Sequence, residues 1–255
     1  MKNKLEPDSN VSGQNNQKQE VASGSGAFDA VGEAKRLLRT IRAGALATLT
    51  ETGGPFATLT QIATHFDGAP LLLMSRLAAH RRNLERDARC SLLLAQGGRG
   101  DPLAHPRLTL EARAEQINDR TARERFLRRN PKASLYVDFP DFSFWRLEAT
   151  GVHLNGGFAR AADFGPEALT TPLAGAEALI ADEETILTRL NSERAATLSR
   201  LAGNGAWRAS GVDPEGIDLA AGDLTDRIVF TKRVETADEL WARLSELESA
   251  ATGHE

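Results

Sequence analysis

Residues 141–164 read DFSFWRLEATGVHLNGGFARAADF. Between residues 142 and 148 aromatic and aliphatic side chains alternate with polar ones, the period of a strand that buries one face. A second short strand is expected at 151–154, followed by Gly156-Gly157 and Arg160. Paired glycines let a backbone approach another surface closely, because no Cβ stands in the way. A glycine pair followed by an arginine suits a planar, anionic ligand, and equally suits a tight turn with a surface arginine.

This strand lies in a run of others. Upstream, apolar or alternating runs at 45–50, 56–63 and 71–75 are separated by the turn signals Thr52-Gly53-Gly54-Pro55 and Asp67-Gly68-Ala69-Pro70. Two more strands are expected at 88–95 and 107–117, joined by the glycine-rich loop 97–102. Connections this short imply antiparallel neighbours. Helical spacing is found at 28–41, where Phe28, Val31, Ala34, Leu37, Leu38 and Ile41 share a face, and at 79–86. A third helix is expected at 120–129, capped by Asp119 and closed by Asn130-Pro131. Six or more antiparallel strands interrupted by helices predict a closed barrel rather than a doubly wound parallel sheet.

After Gly165-Pro166 alanine and glutamate become dense, and a helix is expected at 182–201, ended by Gly203-Asn204-Gly205. Strands at 216–220 and 227–231 precede a last helix that opens on the capping box Thr236-Ala237-Asp238-Glu239. The chain thus divides into a polar, disordered tail (1–26), a barrel domain (27–165) and a small α+β domain (166–255).

Composition narrows the function. A net charge of −4 over 255 residues argues against a nucleic-acid partner, which would call for a strong positive field. No run approaches a membrane span and no apolar leader is seen, so a cytoplasmic protein without a membrane partner is expected. The single cysteine, Cys90, sits in the apolar run CSLLLA and is expected to be a core thiol. His65, His80, His105, His153 and His254 show no metal-ligand spacing, so no metal site is expected, and His65 and His254 are expected to face solvent.

The basic segment Ser75-Arg76-Leu77-Ala78-Ala79-His80-Arg81-Arg82-Asn83 leaves a strand and enters a helix. Uncapped N–H groups at a helix start, with hydroxyl and guanidinium groups near, are what a phosphate monoester needs; a solvated basic face is the alternative.

The pattern SRLxxHxxN at 75–83 and the segment Gly156-Gly157-Phe158-Ala159-Arg160-Ala161 resemble the FMN-binding split β-barrel proteins of the haem-utilisation type, relatives of pyridoxamine-phosphate oxidase. The resemblance implies an α+β protein, an antiparallel split β-barrel followed by a small α+β domain, that forms a homodimer whose two subunits build the cofactor cleft. It places an FMN phosphate at Ser75, Arg76, His80, Arg81 and Asn83, with the flavin ring along Thr58, Leu59 and Thr60. Haem is a further expected ligand, near His153 and Arg160.

Two departures from the family's patterns bear on activity. The oxidase's basic triplet before the helix is replaced by Ala78-Ala79-His80, so oxidation of pyridoxamine phosphate is not expected. The C-terminal motif HMNxDH reads Arg189-Leu190-Asn191-Ser192-Glu193-Arg194, and a guanidinium that stays protonated cannot replace an imidazole as an iron ligand. The expected function is flavin or haem binding, either by an oxidoreductase of haem utilisation whose catalytic residues are unassigned, or by a non-catalytic adaptor of tetrapyrrole metabolism.

Overall fold

A computed structural model describes residues 28–157, 160–203 and 205–252. The expected tail, together with Phe158, Ala159, Asn204 and His254, lies outside the described residues. The chain opens on α1 (Ala30–Thr40), started by Asp29, whose carboxylate accepts the Gly32 N–H at 2.8 Å. There follow β1 (Ala43–Leu49), β2 (Pro55–Gln61), β3 (Ala63–Thr64), β4 (Pro70–Ser75), α2 (Ala79–Arg86), β5 (Arg89–Ala95), β6 (Arg107–Ile117), α3 (Arg120–Arg129), β7 (Phe142–Asn155) and β8 (Ala161–Phe164).

These strands form one antiparallel sheet in the order β2-β1-β5-β6-β7-β4-β3, with β8 on β7. No ladder joins β2 to β3, so the expected closed barrel is corrected to a split one. The sheet curls around a core that includes Leu46, Leu72, Leu92, Leu110 and Leu147. Helix α1 contributes Leu37 and Leu38 to it.

The two strands expected at 142–148 and 151–154 are one strand, β7. Leu147 and Val152 are both buried although five residues apart, which strict alternation forbids. The ladder with β6 resolves the conflict by slipping between Glu111 and Ala112: Ala149 faces Ala112 and Gly151 faces Glu111, leaving Thr150 as the extra residue of a bulge.

The C-terminal part comprises α4 (Glu177–Ala181), α5 (Glu183–Glu193), α6 (Ala195–Leu201), the sheet β9 (Arg208–Asp213), β10 (Gly216–Ala221) and β11 (Leu224–Val229), and α7 (Ala237–Thr252). The single helix expected at 182–201 is corrected to α5 and α6, broken at Arg194, where the backbone leaves the helical region at φ −125° and ψ 15°. Strand β9 was not expected. Its sequence, Arg-Ala-Ser-Gly-Val-Asp, carries no apolar alternation, and its polar residues are buried by ion pairing rather than by a hydrophobic face. The side-chain amide of Asn191 extends this strand's hydrogen bonding, accepting from Ala209 N at 2.7 Å and donating to Ala209 O at 3.1 Å. A second hydrophobic cluster, with Leu190, Ile217 and Leu240 at its centre, packs these elements together.

Charge joins the two clusters. Asp213 lies 3.2 Å from Arg39 of α1 and 2.7 Å from Arg227, which also bonds Asp218 at 2.6 Å. Glu183 accepts from Arg125 and Arg128 of α3 and from Val212 N at 3.1 Å. Arg125 stacks 4.3 Å over the Phe66 ring. Among the described residues no helix is long and apolar enough to cross a membrane.

Candidate functional site

Strand β4 ends at Ser75, and the chain turns through Arg76–Ala78 into α2. This turn is tied to the start of β7: Arg76 N donates to Asp141 O at 2.7 Å, Arg81 Nη1 to the same oxygen at 3.1 Å, and Ser75 Oγ to the Asp141 carboxylate. Ser75 Oγ in turn accepts from Leu77 N at 3.1 Å. Ala78 at the N-cap has no side-chain oxygen to offer, so the first N–H groups of α2 carry no side-chain cap. The Arg76 side chain is exposed and makes no ion pair among the described residues. His80 is half-buried, and burial pushes its imidazole below the usual value, so at neutral pH it is uncharged.

The other residues expected at this turn serve the fold. Arg81 is buried, holding Glu85 at 3.0 Å and Gln116 at 3.3 Å and lying 5.6 Å from the Trp145 ring centre. Asn83 is buried too; it donates to Thr48 Oγ1 at 3.0 Å and accepts from Arg86 at 2.8 Å. On β2, Thr58 and Thr60 point to one side and Leu59, 75 % exposed, to the other. Thr60 donates to Gln61 O at 3.3 Å.

The outer face of the sheet holds a second group. His153 of β7 pairs in register with Asp163 of β8, and its Nδ1 lies 2.6 Å from Asp163 Oδ1. An ionised carboxylate can only accept, so Nδ1 carries the proton and Nε2 of the neutral ring presents its lone pair. Nε2 has no hydrogen-bond partner among the described residues. Both side chains line a cavity of about 390 Å³ with Thr109, Glu111, Gly151 and Phe164. A neighbouring cavity of about 450 Å³ shares Glu111 and runs along the same face past Ala47, Leu49, Ser91, Arg113 and Thr150. Together they form a trough across β1, β5, β6 and β7. Asp163, Glu111 and this trough were missed by the motif reading. A signal was present in β1: Ala43, Ala45, Ala47 and Leu49 alternate with inward residues, so the strand is apolar on both faces.

The glycine pair has a different employment from the one its sequence suggested. A Cβ on Gly156 would meet the Phe28 ring at 2.4 Å, so Phe28 already fills that space. Gly157 adopts φ 102°, and a Cβ there would lie 2.8 Å from Ala104 O; only glycine fits. Arg160 is exposed, its guanidinium 5.3 Å from the Phe28 ring centre. His105 is held by its loop, with Nε2 2.9 Å from Arg99 O. His65 does not face solvent as expected: it lies between Asp67 and Asp119, 3.5 Å from each, because the turn before β4 folds onto the start of α3. Cys90 packs against the core, and burial pushes its thiol up to about 12. Arg189 stacks 4.5 Å over Trp241 and Arg194 lies 4.0 Å from Glu248, so the two arginines at the motif-histidine positions make surface contacts. Among the described residues no group of three or more His, Cys, Asp or Glu could hold a metal ion.

Residues 30–156, the whole split barrel up to the glycine pair, match the family model described as pyridoxamine 5′-phosphate oxidase. The chain belongs to this family of split barrels. Within the pyridoxamine 5′-phosphate oxidase fold, a solved protein of unknown function from Agrobacterium tumefaciens is 40% identical, with a TM-score of 0.78 over 90% of this chain and 100% of that one. A heme binding protein from Mycobacterium smegmatis is 28% identical, with a TM-score of 0.53 over 91% of this chain and 100% of that one. The chloroplastic non-canonical heme oxygenase HOZ of Arabidopsis thaliana is 34% identical over 138 residues, which is 51% of this chain and 41% of that protein.

Proposed function

We propose that this protein binds haem on the outer face of its split barrel, with His153 as the iron ligand. The observation that carries this reading is the His153–Asp163 pair, which presents a neutral imidazole at a cavity of about 390 Å³ continuous with an apolar trough. The residues fit the group: a soft nitrogen donor is in place, apolar strand surface lies beside it, and Arg160, three positions before Asp163, is available for a propionate. Bound haem would supply the electron and oxygen chemistry. Asp163 fixes the tautomer and orientation of His153 and makes its free nitrogen more basic. The apolar face of β1 excludes water on one side of the trough. The relatives named for heme binding and heme oxygenase activity support the ligand class.

A homodimer through the same face would bury the trough, since an open face of alanine, leucine and serine is otherwise left to solvent. Hemin titration followed at the Soret band should give saturable binding at one haem per chain, and His153→Ala should weaken it at least tenfold while His105→Ala leaves it unchanged. Equal binding by the His153→Ala and unsubstituted proteins would overturn the assignment.

A second reading is favoured by the uncapped start of α2 beside the free guanidinium of Arg76. We propose that an FMN phosphate is held there, with the ring along β2. Arg76→Ala should then weaken FMN binding by roughly 1.5–3 kcal/mol, the range for a hydrogen bond to a charged group. Whether the protein is an oxidoreductase or an adaptor turns on haem turnover: biliverdin formation under reducing conditions supports the first.

A further inference from the structure

The α2 turn contains a carboxylate where an anion is to bind. Asp141 is anchored by its backbone carbonyl, which accepts from Arg76 N at 2.7 Å and Arg81 Nη1 at 3.1 Å, and its carboxylate takes the Ser75 hydroxyl. The anchoring leaves the charge little freedom to swing away. Ser75 is therefore committed as a donor, and the remaining polar groups at the turn are the first N–H groups of α2, the neutral imidazole of His80 and the guanidinium of Arg76. One cation and one carboxylate border the same turn.

We propose that Asp141 is a specificity-determining residue of this turn, setting it against doubly charged phosphate monoesters. The inference rests on the reading of the turn as the FMN phosphate site. A phosphate monoester carries between one and two negative charges at neutral pH. Each must approach the carboxylate that Ser75 already serves, and like charges within several ångströms in a partly buried setting repel appreciably. The net attraction of Arg76 and the helix start is correspondingly reduced. Asp141→Asn is the informative change, because the amide oxygen can still accept from Ser75 and the backbone carbonyl contacts are untouched.

The test is titration of the full-length protein and Asp141→Asn with FMN and with riboflavin, which has the same ring and no phosphate. FMN affinity should rise on the order of tenfold in Asp141→Asn, the effect of removing one nearby charge, while riboflavin affinity stays within about twofold. If the unsubstituted protein prefers FMN over riboflavin and Asp141→Asn leaves that preference unchanged or lowers it, the role of Asp141 is wrong and the phosphate site stands. If neither protein prefers FMN, the phosphate site itself is wrong and the inference falls with it. A thermal melt checks folding of the variant, and Asp141→Ser, small and neutral, should shift the preference in the same direction.

Discussion

Replacing Glu183 with alanine should be among the most destabilising single changes in the chain. Glu183 is 4% exposed and serves Arg125, Arg128 and the Val212 N–H at once. Its removal leaves the guanidinium of Arg125, 3% exposed, with Thr64 O at 2.9 Å, Val212 O at 3.1 Å and only a distant carboxylate, Asp218 at 3.6 Å. Arg128 can turn to solvent; Arg125 cannot. Breaking a buried pair from one side costs about 3–5 kcal/mol, because a desolvated charge is left behind. For a chain of this size each kcal/mol lowers Tm by roughly 2–4 °C, so a drop of about 6–20 °C is expected in a circular dichroism melt. Glu183→Ala combined with Arg125→Met removes both charges and should recover part of that loss. A single variant within about 1 kcal/mol of the parent, or a double variant that merely sums the two single effects, would refute the idea that these buried charges act as one unit.

Other outcomes follow from the same contacts. Burial alone would push Asp213 up, but Arg227 and Arg39 together outweigh it and hold the carboxyl well below its usual range. A depressed carboxylate stabilises the fold above its unfolded value, about 3.9, and that stability is lost as pH falls through the lower folded value; Tm should fall steeply below about pH 4, and less steeply in Asp213→Asn from its lower starting point. Cys90, with its thiol raised to about 12, should resist alkylation at pH 8 and react only once denaturant is added; ready labelling of the native protein would contradict its burial. Gly157→Ala places a Cβ against Ala104 O at a positive φ and should cost more than 1 kcal/mol in a urea melt, whereas Gly53→Ala, with nothing near its Cβ, should cost only its backbone strain.

The barrel was legible because its physics is local. Alternation in β6 and β7, the turn at Asp67-Gly68 and the Asp119 cap, whose side chain accepts Thr121 N at 2.8 Å, each act within a few residues. Strand β9 was hidden because what buries Ser210 and Asp213 is charge supplied by Arg39, Arg125 and Arg227 from elsewhere in the chain. The site divides along the same line. Ser75, Arg76 and His80 are neighbours in sequence and remain neighbours at the turn, while Arg81 and Asn83, one helical face away, turn inward. His153 was visible as a candidate, but Asp163 becomes its partner only through the β7–β8 register, and Phe28 reaches Gly156 across more than a hundred residues.

The most direct test of the haem assignment is chemical rescue. His153→Gly should lose the histidine-type Soret and α/β bands of the hemin complex, and millimolar free imidazole should restore them, since the cavity beside Asp163 can take the detached ring. In Asp163→Asn, where the acceptor is weakened, the bands should persist with altered iron–nitrogen character by resonance Raman. A histidine-type spectrum in His153→Gly without added imidazole would contradict the account.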